Sequence, residues 1–147
     1  MIKGDGFVTA NNNDSRFLYF DAGAGLNLFW DVGGTAIATN VSIADYDDST
    51  HQIQELSVDG TNATLRINGT QNFTTATSNA LEIDRLGLKW DGVTSVTTWN
   101  GEIAEIVMIS NLSTSDRAKM EGYLAWKWGL EANLDAGHPY KSAPPTA

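Results

Sequence analysis

A well-capped helix near the C-terminus constrains the fold more than any other feature of this chain. Ser113 stands three residues before Asp116, so its hydroxyl can accept from an unpaired backbone N–H group while the carboxylate favours the positive helix end. Gly129 follows Trp128, at a place where a helix commonly ends. The spacing predicts a helix over about residues 114–128. We expect this helix to close one edge of a β-sheet core.

One face of this helix is expected to be buried. Residues that recur at three- and four-residue spacing lie on the same side of a helix. The pattern predicts that Trp128 points inward and that Trp126 stays partly exposed, at a contact with another subunit or a larger particle. The predicted shared face consists of Met120, Tyr123, Leu124, Lys127 and Trp128.

The rest of the chain has the pattern of short β-strands separated by turns that contain Gly or Asn. The alternation is clearest where Ala63, Leu65 and Ile67 interleave with polar residues, which indicates a half-buried strand. Strands at this regular spacing predict a β-sandwich rather than alternating βαβ units. Asp31–Gly34 is predicted to be a turn. The predicted strands are Arg16–Phe20, Leu26–Trp30, Thr35–Ile43, Gln52–Val58, Ala63–Asn68, Leu81–Leu88, Thr94–Trp99 and Glu102–Ser110.

A series of motifs runs from about Ser49 to Tyr140. Two consecutive segments, His51–Gly60 and Thr64–Gly69, end in Asp-Gly and Asn-Gly. Leu86-Gly87 precedes Trp-Asn-Gly-Glu-Ile-Ala-Glu, and YLAWKWGL and GHPY follow. In this order the motifs resemble the concanavalin A-like, laminin G-like jelly-roll family, in the variant common in lectin-like domains of environmental bacteria and in tailed-phage virion proteins.

The resemblance implies an all-β fold, an antiparallel β-sandwich of jelly-roll topology with one C-terminal α-helix. We expect a single lectin-like domain over residues 1–141, followed by a flexible tail over 142–147. The resemblance is weak before Asp31, and the further N-terminal strands that the family usually has, with a W-x-D-x-S-G motif, are not found in this sequence. The chain is therefore expected to be a minimal version of the domain or one that a partner completes.

Composition excludes several classes of function. The net charge of −9 and the pI of about 4.4 disfavour binding to nucleic acid and to anionic membranes. The sequence contains no run of 18 apolar residues and no signal peptide, so we expect no membrane span. It contains no cysteine, which excludes disulfides and thiolate chemistry. A location on a virion surface or outside the cell fits these features.

The sequence gives little support for catalysis. Laminarinase-type enzymes share the implied architecture and use an E-[IL]-D-x-x-E strand, but here Glu82 and Asp84 are followed by Gly87 in place of the third acid. Two exposed acids on a strand are the simpler interpretation. His51 and His138 are isolated, and we expect His138 to hydrogen-bond the tail to the body of the domain. We therefore predict no catalytic residues.

Two kinds of binding site are conceivable. Calcium needs six to eight oxygen ligands, and a rim loop of a laminin G-like domain could supply them, although a solvated acidic loop is the simpler interpretation. A sugar site would need exposed aromatic rings, although tryptophan is more often buried. The calcium candidates are Asp45, Asp47 and Asp48, and the carbohydrate candidates are Trp30, Tyr46, Trp90 and Trp99.

These features together predict a non-enzymatic surface module. The leading hypothesis, which rests on the resemblance, is a phage virion protein, a capsid-decoration or tail-associated component that acts through surface contacts. The alternative is a carbohydrate-binding module of a larger bacterial protein, assisted by calcium. A degenerate glucanase is a third and weaker hypothesis. The expected partners are the protein surface of a virion or glycans, and a homo-oligomer is a further expectation.

Overall fold

The computed structural model describes residues 2–4, 17–21, 27–32, 35–42, 49–77, 88–90, 96–98 and 101–146 of the chain. Most of these residues before position 99 lie in strands, and the α-helix lies near the C-terminus. In chain order the elements are β1 (Ile2–Gly4), β2 (Phe17–Asp21), β3 (Asn27–Val32), β4 (Thr35–Ser42), β5 (Gln54–Val58), β6 (Asn62–Ile67), β7 (Thr70–Ala76), β8 (Leu88–Trp90), β9 (Val96–Thr98), β10 (Gly101–Ile103), α1 (Thr114–Trp128) and a 3₁₀ turn (Glu131–Asn133).

The strands pair in antiparallel fashion. β2, β3 and β4 form one three-stranded sheet and β5, β6 and β7 another, while β1 pairs with β10 and β8 with β9. β4 lies beside β7. The described residues therefore form a β-rich fold of antiparallel sheets with an α-helix near the C-terminus, as the sequence predicts at this level.

Local turn chemistry explains the β5–β6–β7 sheet. Asn68 and Gly69 both have positive φ, 53° and 86°, and form a two-residue turn between the paired residues Ile67 and Thr70. Asn-Gly is the sequence that favours such a turn because both positions need a left-handed backbone. At the β5–β6 turn the Asp59 carboxylate accepts from two backbone N–H groups, at 2.7 and 2.8 Å. The strands predicted over Gln52–Val58 and Ala63–Asn68 are confirmed as β5 and β6, and the two strands pair.

The two sides of this sheet differ in chemistry. Ala63, Leu65 and Ile67 are fully buried, as the alternation predicts. The opposite side has a polar row in register, in which Arg66 pairs with Glu55 of β5 and with Gln71 of β7. The Arg66 guanidinium donates to the Glu55 carboxyl at 3.2 Å and to the Gln71 side chain at 3.1 Å.

Helix α1 has the predicted bounds and caps. Ser113 has extended backbone geometry, and its hydroxyl accepts from the Asp116 N–H group at 3.1 Å. Gly129 ends the helix in the left-handed conformation at φ 69°. A hydroxyl cap is worth about 1 kcal/mol relative to alanine.

The face that α1 buries matches the predicted one only at Leu124, with Met120 packed at its edge. Its buried residues are Glu121, Gly122, Leu124 and Ala125. Tyr123 and Trp128 are 47% and 38% exposed, so the prediction that Trp128 points inward is wrong. Hydrophobic spacing cannot predict the burial of Glu121 and Gly122, because neither residue is a large apolar one.

A small apolar cluster joins α1 to the sheet and to the tail. Ile53, just before β5, packs with Leu124 and Ala125 of α1 and with Leu134 beyond it. Burying an aliphatic side chain of this size contributes about 1.5–3 kcal/mol. Met120 and Leu130 pack against the edge of this cluster.

The segment after α1 folds back onto the hairpin. The Asp135 N–H group donates to the Asn68 carbonyl at 3.1 Å, at the β6–β7 turn. The Trp126 indole N–H donates to the Tyr140 carbonyl at 2.8 Å. Lys141 donates to the carbonyls of Ala132 and Leu134. Residues 134–141 therefore tie α1 to the hairpin turn, and we call them the clasp.

Several sequence predictions require correction or fall outside the described residues. The strand predicted over Glu102–Ser110 is wrong: only Gly101–Ile103 is a strand, because β1 pairs with just these three residues and 104–109 have no ladder partner within the described part of the chain. β7 was not predicted. Asp31 and Val32 belong to β3 rather than to a turn. Of the strand predicted over Leu81–Leu88, only Leu88 is described, in β8. Residues 142–146 contain no helix or strand, and their flexibility stays a prediction.

Candidate functional site

A cleft lies between strand β5 and the segment that leads into α1. Its volume is about 1170 Å³. β5 and its flanking residues form one wall, residues 105–114 form the other, and α1 contributes Arg117, Met120, Glu121 and Leu124. This volume lies slightly above the usual range for ligand sites, about 300–1,000 Å³.

The second wall of the cleft is apolar and exposed. It contains consecutive large side chains in a segment without regular secondary structure. Met108 is the most exposed of them, at 68%. Apolar side chains that cluster on a surface mark an interaction site more often than isolated ones do. The exposed members are Ile106, Val107, Met108, Ile109 and Leu112.

Glu105 anchors the start of this wall to the end of α1. Its two carboxylate oxygens accept from the Lys127 ammonium group at 3.0 Å and from the Trp128 indole N–H group at 2.9 Å. These hydrogen bonds, the one from Trp128 first, hold the pKa of the Glu105 carboxyl below its usual value. The apolar segment Ile106–Leu112 therefore has a fixed end at the helix terminus.

At the inner part of the cleft, two carboxyl groups face one another. Glu55 comes from β5 and Glu121 from α1, and their side chains are 19% and 6% exposed. Burial, then the hydrogen bond with Glu121 and repulsion from it, raise the pKa of Glu55 to about 7. Arg66 and Arg117 act in the opposite direction, with nitrogens 3.2 and 3.9 Å from the Glu55 oxygens. Desolvation outweighs these two charges.

His138, in the clasp, fixes the far side of Glu121. Its Nδ1 accepts from the Tyr140 backbone N–H group at 3.2 Å, so its Nε2 bears the proton and donates to Glu121 Oε2 at 3.1 Å. Burial lowers the pKa of His138, which keeps the ring neutral. The prediction that His138 hydrogen-bonds the tail to the body is confirmed. His51 lies elsewhere, 3.1 Å from the exposed Glu102.

Two arginines, Arg66 and Arg117, lie beside Glu55 and disfavour a divalent cation there. Within the described residues, no three His, Asp or Glu side chains form a group that could hold a metal ion.

Two of the carbohydrate candidates lie in strands that the structure describes. Trp30 belongs to β3 and Trp90 to β8. Tyr46, Trp99 and the calcium candidates Asp45, Asp47 and Asp48 lie outside the described residues, as do Glu82 and Asp84. They stay predictions.

The sequence analysis missed the residues that line the inner part of the cleft. Two signals were available: Glu55 and Arg66 fall opposite each other once the hairpin register is known, and Arg117, Glu121 and Leu124 share a helix face. Neither signal links the hairpin to the helix, because the two are far apart in sequence.

Comparison with protein-family models, curated proteins and solved structures finds no significant match. In the described part of the chain, no helix is both long and apolar enough to cross a membrane.

Proposed function

We propose that this chain is a non-enzymatic surface module that works by binding another protein surface along the cleft. On the resemblance set out above, we propose a concanavalin A-like jelly-roll sandwich and a place in a phage virion, as a capsid-decoration or tail-associated component. The observation that supports a contact function is the exposed apolar wall, Ile106–Leu112.

The apolar wall fits contact with a protein. Met108 is its most exposed side chain, at 68%, and methionine adapts well to irregular partner surfaces. Residues 104–109 have no ladder partner among the described residues, so their backbone groups are suited to pairing with an extended partner segment. The two carboxyl groups at the inner part of the cleft are largely buried and expose little charge to a partner.

The virion hypothesis is tested on particles. Particles purified by density gradient from a culture that contains the gene are analysed by mass spectrometry, and we expect this chain at a copy number comparable to that of a capsid or tail protein. Absence of the chain from purified particles contradicts the virion proposal.

The contact surface is tested separately with a charged variant. Met108→Asp places a carboxylate in the middle of the apolar wall, and we expect it to abolish incorporation into particles while the protein stays folded. Lys119→Asp, at an exposed position on α1, is the control and should be incorporated normally. Equal incorporation of both variants contradicts a contact through the apolar wall.

Exposed aromatic rings support the alternative, a carbohydrate-binding module assisted by calcium. Tyr123, Trp126 and Trp128 are 47%, 36% and 38% exposed, and such rings can stack on sugar faces. A glycan array probed with and without a calcium chelator tests this alternative. Reproducible binding to one sugar class favours the module, and its loss with chelator would implicate calcium. A blank array under both conditions leaves the protein-contact proposal in place.

A further inference from the structure

The interface between α1 and the hairpin contains buried charge on both sides. Glu55 is on β5, Arg66 on β6, and Arg117 and Glu121 on α1. The Glu121 side chain is only 6% exposed. An interface this polar is stable only if each buried group has a partner, since an unpaired buried carboxylate is costly.

Each of the two carboxyl groups, Glu55 and Glu121, has one oxygen without a hydrogen-bond donor. Glu55 Oε1 accepts from Arg66 at 3.2 Å, and Glu121 Oε2 accepts from the neutral His138 ring at 3.1 Å. Within the described part of the chain, Glu55 Oε2 and Glu121 Oε1 are both buried and have no donor. The Arg117 Nε atom is 3.9 Å from Glu55 Oε2, beyond hydrogen-bonding distance.

A single proton satisfies both oxygens. Two ionised carboxylates cannot hydrogen-bond to each other, whereas a carboxylic acid donates to a carboxylate. We propose that Glu55 and Glu121 share one proton across the interface between β5 and α1, and that loss of this proton loosens α1 and the clasp from the hairpin.

The other charged groups around the pair do not replace the proton. Arg66 divides its guanidinium between Glu55 and Gln71, and Arg117 approaches without a hydrogen bond. Around His138, Asp135 favours a charged ring, whereas Arg117 and Lys141 disfavour it. The pKa of Glu55, about 7, is consistent with a proton retained near neutral pH.

The direction of the effect follows from the pKa of Glu55 in the two states. The value is about 7 in the folded protein and 4.5 for an unperturbed Glu, so the folded state binds the proton more tightly. The stability that the shared proton gives to the closed interface is therefore fully present below about pH 4.5. It decreases as the pH rises toward about 7 and is constant above that pH.

Hydrogen exchange of the purified chain, measured by mass spectrometry, tests the proposal. After correction for intrinsic exchange, we expect the opening equilibrium of residues 114–128 to rise about tenfold between pH 6 and pH 8. Glu55→Gln, whose amide donates at every pH, should remove this rise. Glu102→Gln makes the same charge change at a side chain that is 70% exposed and should keep the rise.

Nuclear magnetic resonance of the side-chain carboxyl carbons gives a second readout, in the wild-type protein. Glu55 is assigned by the signal that Glu55→Gln lacks, or by elimination with Glu121→Gln if the first variant does not fold. A titration midpoint near 7 is the expected result. A midpoint near 4.5, or exchange in residues 114–128 with the same pH dependence in Glu55→Gln as in wild type, overturns the proposal.

Discussion

Gly122 lies so close to Tyr140 that a Cβ atom added to it would stand 2.5 Å from the Tyr140 Cβ. This contact brings the clasp onto the buried face of α1, one residue from Glu121. It also explains why a residue with poor helix propensity occupies the middle of the helix, since another side chain there would displace the clasp.

Gly122→Ala is expected to destabilise the protein. In an open helix this change would stabilise by up to about 1 kcal/mol, but here the overlap with Tyr140 should cost about 1–3 kcal/mol and determine the sign. Urea denaturation measures the change. Combining Gly122→Ala with Tyr140→Gly removes the obstruction, so the alanine should cost less in that background. An equal cost in both backgrounds contradicts the explanation.

Gly69→Ala should cost more than Gly60→Ala. Both glycines have a left-handed backbone, at φ 86° and 83°, so alanine is strained at either position. Only at Gly69 would the added Cβ meet a side chain, 3.0 Å from Cδ2 of His138. We expect Gly60→Ala to cost about 1 kcal/mol and Gly69→Ala a further 1 kcal/mol or so, in urea denaturation. Equal costs at the two glycines would contradict the prediction, because they would mean that His138 can move aside at no cost in stability.

Removing the helix cap should weaken α1. Ser113→Ala removes the acceptor for the Asp116 N–H group and should lower the free energy of unfolding by about 1 kcal/mol. Ser115→Ala, at an exposed position in the first turn, is the matched control and should change it by less than about 0.5 kcal/mol. Similar losses for both variants would contradict the role of Ser113 as the cap.

The pH dependence of stability should change when His138 is replaced. Burial lowers the pKa of His138 below 6.5, so the unfolded chain takes up the proton first and stability is lost as the pH falls below 6.5. His138→Gln keeps an N–H donor for Glu121 but cannot be protonated. We expect it to be less stable at pH 7, by about 1 kcal/mol because the acceptor for Tyr140 is lost, and to show less acid destabilisation.

Thermal unfolding of the two proteins between pH 7 and pH 5 tests this prediction. The Glu55 contribution runs in the opposite direction over this range and is common to both proteins, so the difference between the two curves isolates His138. Parallel curves would contradict it.

The elements that were predicted correctly have local causes. The bounds of α1 follow from Ser113 and Gly129, and the turn at Asn68-Gly69 from its own backbone preference, so each can be read from a few neighbouring residues. β7 was missed because its sequence, TQNFTTA, is polar and offers little hydrophobic alternation. Its position depends on the tight turn before it and on register with β6.

The errors have non-local causes. Residues 104–109 have the composition of a strand, but a strand requires a partner, and β1 reaches only to Ile103. The inward face of α1 is set by the clasp, which needs Gly122 and provides His138 for Glu121. The convergence of Glu55 with Glu121 depends on tertiary packing alone, and no single-sequence pattern reports it.

The hydrogen bond from Asp135 to the Asn68 carbonyl has a consequence for synthesis on the ribosome. The hairpin emerges first, and its polar row has no cover until α1 and then the clasp have been translated. Contacts between such distant parts of a chain form late. The nascent protein therefore exposes Glu55 and Arg66 to water, where both are well solvated, and Glu55 meets Arg117 only after α1 has emerged. A polar row on this side of the sheet, in place of an apolar one, protects the incomplete chain from aggregation during that interval.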